Sequence, residues 1–131
     1  MSAEDWQKIE GGIIAATALV IAFMAGAGWP WWMWLVVLAL PDLSMAGYLL
    51  GPRRGAALYN LFHLYAVGMV LVLLGMMTGQ VGLITLGLLW LAHVGGDRGF
   101  GFGLKQQSGF GDTHLGPIGR GSEKGRDHGQ G

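Results

Sequence analysis

Four ionisable side chains, Asp42, His63, His93 and Asp97, stand within stretches that are otherwise apolar. Ionisable groups are costly at membrane depth, so each is a functional hypothesis by default and is expected to face the interior of a helix bundle. Two imidazoles and two carboxylates form a competent ligand set for zinc, iron or manganese. Such a divalent ion would turn the cost of burying four polar groups into binding energy. With no cysteine in the chain, a disulfide scaffold, a thiolate zinc site and a cysteine nucleophile are all excluded.

The elements that must carry these groups follow from composition and patterning. The 131 residues are 52% hydrophobic and 12% charged, with zero formal net charge. A soluble domain carries roughly a quarter charged residues. The apolar residues come in stretches near the 20 or so that a helix needs to cross a bilayer. An integral membrane protein is therefore expected, all-α, with four antiparallel transmembrane helices. The spans fall at about 11–28, 31–50, 56–77 and 81–102, after a polar interfacial segment 1–10 in which Ser2 can cap a helix. Pro30 opens the second span, and Trp29, Trp31, Trp32 and Trp34 mark an aromatic belt. Residues 105–131 form a Gly-rich polar tail, and from Gly116 onward the chain lacks the apolar content to offset its ordering entropy, so disorder is expected there. No cleaved signal peptide is expected, because the N-terminal segment is acidic on balance.

With four spans, all eight Lys and Arg residues fall on one side, in the N-terminal segment, the Gly51–Gly55 turn and the C-terminal segment. Short loops rich in cations stay cytoplasmic, which places both termini in the cytoplasm. Asp42 precedes the Gly51–Gly55 turn by about nine residues and His63 follows it by about eight. At 1.5 Å per residue they stand roughly 13 and 12 Å deep, on antiparallel neighbours at one level. His93 and Asp97 share a helix face at four-residue spacing, approaching the same level. Tyr59, Asn60 and Ser44 are placed to supply further donors and acceptors. Pro41 removes a backbone donor and is expected to free a carbonyl near Asp42.

A structural latch competes with the metal reading at each position. Asp42 can pair with His63 or Arg98, and Asp97 with His93, Arg98 or Arg54, fixing helix register alone. Gly95, Gly99 and Gly103 form a packing stripe for another helix or for a homodimer. The methionines read as apolar filler. The segment from Asp97 to Lys105 lacks the lysine and hydroxyl of a phosphate loop. A proton pathway finds only Thr17, Thr78, Gln80 and Thr85 in the outward half, and a neutral chain gives no reason to expect nucleic-acid binding.

The strings Leu40-Pro41-Asp42-Leu43-Ser44-Met45, Tyr59-Asn60 with His63, Ala92-His93 with Asp97-Arg98, Gly101 to Lys105, and Thr113-His114-Leu115-Gly116 resemble those of small, uncharacterised bacterial four-helix membrane proteins, a domain of unknown function. The likeness covers about residues 8 to 120. It implies a multi-pass protein of the bacterial inner membrane, partnered by the lipid bilayer, and it implies no activity; the small size of the bundle, not the likeness, favours a second copy or another membrane subunit as partner. Leu40-Pro41-Asp42 and the His93-to-Asp97 spacing are also similar to strings in membrane-bound metal-dependent hydrolases, although Ser44 stands where those proteins add a second acid. That likeness implies a metal held by Asp42, His63 and His93 that activates water against a lipid ester or phosphoester. Asp97 would then be the fourth ligand or the catalytic base, and Arg53, Arg54 and Arg98 would hold the anionic headgroup. The competing class is a non-catalytic subunit or scaffold.

Overall fold

The computed structural model describes residues 1–106 and 109–117. Its first helix, α1 (Ala3–Ala25), begins at a capping box. The Asp5 amide donates to Ser2 Oγ at 3.2 Å, and the Ser2 amide donates to the Asp5 carboxylate at 2.8 Å. Two orphan donors are thus satisfied at the outset. With no breaker between, the segment expected to be interfacial and the first span run as one helix, which closes at Gly26 in the left-handed conformation.

The second apolar stretch opens at Pro30 as α2 (Trp31–Ala39), then tightens into a 3₁₀ helix over Leu40–Leu50. Pro41 lies at this transition and cannot donate the backbone bond that a continuing α-helix requires. The third stretch is broken. Helix α3 (Pro52–Phe62) ends at His63, α4 (Tyr65–Thr78) begins after Leu64, and the two axes are bent by 42°. Helix α5 (Val81–Gly99) ends three residues before the expected boundary at 102. Among the described residues, α1 and the stretch Trp31–Leu50 are each long and apolar enough to cross a membrane, and the bent α3–α4 pair is a third if the two helices make one span rather than a re-entrant loop.

Helix α5 packs against both α1 and α4 and is the axis of the bundle. The core joins Ala18 and Ala22 of α1 and Val37 of α2 to Leu88, Leu89 and Ala92 of α5. Close approach of α1 and α5 depends on Gly11 and Gly95. A Cβ on Gly11 would stand 2.7 Å from the Gly95 carbonyl oxygen, and Gly99 faces Gly12. The small-residue stripe on α5 therefore brings two helices of one chain together. The 3₁₀ segment and α3 form a hairpin beside this bundle.

After α5 the chain folds back as an antiparallel meander, β1 (Lys105–Gln106), β2 (Gly109–Thr113) and β3 (Gly116–Pro117). Lys105 pairs with Thr113, and Thr113 pairs with Gly116. The disorder expected from Gly116 is thus corrected at Gly116–Pro117, while the remainder of that expectation lies outside the described residues. What holds this strap is a side chain that imitates a strand. Asn60 Oδ1 accepts from the Lys105 amide at 2.6 Å, and Asn60 Nδ2 donates to the Lys105 carbonyl at 2.8 Å.

Candidate metal centre

Two breaks in helical regularity and one regular helix bring the four ionisable groups together. The first is the 3₁₀ segment, which carries Asp42. A 3₁₀ helix bonds each carbonyl to the amide three residues on. For Leu38 that residue is Pro41, which has no N–H, so the Leu38 carbonyl is free to accept from elsewhere. It accepts from His93 Nδ1 at 2.6 Å. Pro41 is expected to free a carbonyl near Asp42, and the Leu38 carbonyl, three residues before it, is the acceptor that His93 reaches across helices.

The second break lies at the end of α3, where His63 is the C-cap and fully buried. Its Nδ1 donates to the Tyr59 carbonyl at 2.8 Å. The Tyr59 ring stacks on the imidazole, with centroids 3.8 Å apart and planes 10° from parallel. The imidazole plane is therefore fixed by both a hydrogen bond and a stack. The third contribution is the regular spacing of α5, which sets His93 and Asp97 on one face one turn apart.

These constraints aim both Nε2 atoms at the two carboxylates. His63 Nε2 lies 3.3 Å from Asp42 Oδ1 and 3.5 Å from Asp97 Oδ2. His93 Nε2 lies 3.1 Å from Asp42 Oδ1 and 3.2 Å from Asp97 Oδ2. The two nitrogens are 3.2 Å apart. A backbone carbonyl can only accept, so each Nδ1 carries its ring's hydrogen, and each Nε2 of a neutral imidazole presents a lone pair. Carboxylates also only accept. With both imidazoles neutral, four acceptors meet around one point, and all four ligand atoms lie within 4.8 Å of one another.

The centre has one open side. His63 is wholly buried, and the side chains of His93 and Asp97 are 11% and 21% exposed, but that of Asp42 is 44% exposed. Beside Asp42 runs an apolar groove of about 530 Å³, lined in part by Leu40, Leu43, Leu58, Phe62 and Trp90. The groove and the centre share chain segments, because Leu43 follows Asp42, Phe62 precedes His63, and Trp90 Nε1 donates to the Phe62 carbonyl at 2.8 Å.

The three arginines separate. Arg53 and Arg54 are exposed on the first turn of α3, whereas Arg98 is 6% exposed in the last turn of α5. Arg98 pairs with neither Asp42 nor Asp97. Its Nη1 donates to the Phe102 carbonyl at 2.9 Å and its Nη2 to the His63 carbonyl at 3.0 Å. It thereby caps the end of α3 and fixes the backbone of a ligand. Ser44 donates to the Pro41 carbonyl at 2.7 Å and steadies the turn that carries Asp42. Lys105 sits with its ammonium 5.0 Å above the Tyr59 ring, so the strap caps the stack that orients His63, and burial lowers its pKa. His114 docks on Leu104 and Gln7 and lines a cavity that His63 also borders. The burial of Arg98 and the cover by Lys105 had no signal in the sequence beyond the residues themselves.

Neither a curated protein nor a solved structure matches the chain. A family match spans residues 4–118 and includes every residue of the cluster and of the strap that covers it. The chain belongs to that family, whose description is Domain of unknown function (DUF4260).

Proposed function

We propose that the protein is a membrane-embedded divalent-metal-binding protein in which Asp42, His63, His93 and Asp97 supply the ligands. The observation that carries this reading is the convergence of two Nε2 atoms and two carboxylates at one point, with both Nδ1 atoms already committed to the Leu38 and Tyr59 carbonyls. Ligating histidines characteristically donate the other ring nitrogen to a carbonyl or carboxylate, which fixes tautomer and ring orientation. The spacing supports the same reading. Neighbouring ligand atoms around a tetrahedral zinc, each about 2.0–2.1 Å from the ion, stand about 3.3–3.4 Å apart. Five of the six separations here are 3.1–3.5 Å. Nitrogen and oxygen ligands also suit iron and manganese.

The one-sided distribution of Lys and Arg supports a four-span antiparallel bundle with both termini cytoplasmic and the centre in the cytoplasmic half of the bilayer. α5, with three ionisable residues near its end, is the fourth span. The family likeness supports the bacterial inner membrane as its location.

The exposure of Asp42 favours a second reading, a hydrolase acting on a lipid ester or phosphoester. Catalytic zinc sites keep a position open, and a groove of about 530 Å³ beside the open side falls within the range of ligand sites. In that reading Asp97 exchanges its ligand role for that of general base. Elemental analysis of untagged protein in detergent tests the first reading, beside His63→Ala and Asp97→Asn variants. Near-stoichiometric zinc, iron or manganese that both variants lose is the expected result. Absence of metal after repletion with each ion would overturn it and leave a non-catalytic subunit whose polar residues set helix packing.

A further inference from the structure

Beside His63 lies a second cavity, of about 240 Å³, which nothing above uses. It is bounded by Gln7 and Glu10 of α1, Leu64 and Tyr65 at the start of α4, Arg98 of α5, and Leu104 and His114 of the strap. Its volume corresponds to about eight waters at roughly 30 Å³ each, enough for one small polar group and its hydration.

Arg98 is 6% exposed, and among the described residues no carboxylate lies within ion-pairing distance of it. A guanidinium has five N–H donors in a planar fork. Two go to the Phe102 and His63 carbonyls. Those carbonyls anchor the fork without neutralising it, and buried charges are ordinarily paired. The other polar groups of the cavity are the Tyr65 hydroxyl, the Gln7 amide and the His114 ring. His114 Nδ1 accepts from the Leu104 amide at 2.8 Å, so its hydrogen is on Nε2, which reaches Gln7 Oε1 at 3.3 Å. Glu10 also lines the cavity. It is exposed and makes no ion pair with Arg98.

We propose that the Arg98 cavity binds a phosphate group, with the free N–H donors of the guanidinium as its anchor and Tyr65, Gln7 and His114 as neutral partners. Arginine's fork matches phosphate geometry and persists as a charge at every physiological pH. The site needs no metal, although His63 borders both it and the cluster. Free phosphate and the headgroup of a lipid share this chemistry, and the chain's membrane setting makes both available.

The test titrates detergent-solubilised full chain with inorganic phosphate and, separately, with a short-chain phosphatidic acid, by calorimetry, both before and after metal chelation. Binding is expected in chelated protein and is expected to weaken about tenfold or more in Arg98→Gln. Because Arg98 also pins two carbonyls, that variant can fail by unfolding, so Glu10→Gln supplies an independent reading. Removing the carboxylate that lines the cavity should tighten phosphate about two- to fivefold, an effect that a purely structural arginine would not produce. Binding of phosphatidic acid alone identifies a lipid headgroup site, and binding of both identifies a site for phosphate itself. Saturation that disappears on chelation, or no binding in either wild type or Glu10→Gln, overturns the proposal.

Discussion

Asp42→Asn separates a metal centre from a histidine–aspartate latch, because the two give opposite signs in metal-free protein. Asp42 Oδ1 is 3.3 Å from His63 Nε2 and 3.1 Å from His93 Nε2. If both nitrogens present lone pairs, an amide nitrogen in place of that oxygen can donate one N–H to each. At about 0.5–1.5 kcal/mol net per hydrogen bond, the variant gains roughly 1–3 kcal/mol over metal-free wild type. If instead the nitrogens carry hydrogens and the carboxylate latches them, the same substitution loses charge-assisted bonds worth about 1.5–3 kcal/mol each. Metal reverses the order in the first case only. An ion at a thousand times its Kd adds about 4.1 kcal/mol to the native state, and a variant lacking one anionic ligand forfeits most of that. The assay is thermal unfolding in detergent at pH 8, with chelator or with zinc, beside elemental analysis of the same samples. Chelated Asp42→Asn should melt above chelated wild type, and zinc should raise wild type past it. A chelated variant that melts below chelated wild type, with zinc shifting neither, would refute the argument from converging acceptors.

Three further outcomes follow from other parts of the structure. Gly95→Ala places a methyl 2.9 Å from the Ala15 amide nitrogen and closer still to the Gly11 carbonyl, and should destabilise by about 1–3 kcal/mol in thermal unfolding, whereas Gly12→Ala meets nothing within 4 Å and should not. Burial, aided by the nearby Arg98 charge, pushes the His114 imidazole below its ordinary 6.5, so docking of the strap is complete above that pH and weakens as pH falls through it, when the undocked form takes up the proton first. Amide exchange across residues 104–106 and 113–116 should lose protection between pH 7 and 5, and His114→Ala should flatten the dependence. The chain has no cysteine, so Glu4→Cys and Thr78→Cys report topology directly, the first labelled by an impermeant maleimide from the cytoplasmic side and the second from the opposite side. Labelling of both from one side would exclude the four-span arrangement.

The sequence by itself determined the apolar helices, the turns and the set of groups that had to face inward. Those properties are local or are sums along the chain. Hydropathy places the helices, Pro and Gly place their ends, and the i, i+4 spacing of His93 and Asp97 needs only one regular helix. Even the common level of Asp42 and His63 came from counting residues on either side of one tight turn. Tertiary structure decided the rest. A continuous third span would have carried His63 past its partners on a helical face; instead the chain breaks at His63–Leu64 and bends by 42°, leaving the imidazole buried at the break. No periodicity announces that break, because its compensation comes from Arg98 on α5, which satisfies the His63 carbonyl from 35 residues away. The strap is similar. Residues 105–117 are too polar and Gly-rich to read as strands, and they are held because Asn60, 45 residues distant, offers Lys105 both halves of a strand pairing. Composition fixes which groups need partners, but only folding brings those partners within hydrogen-bond reach.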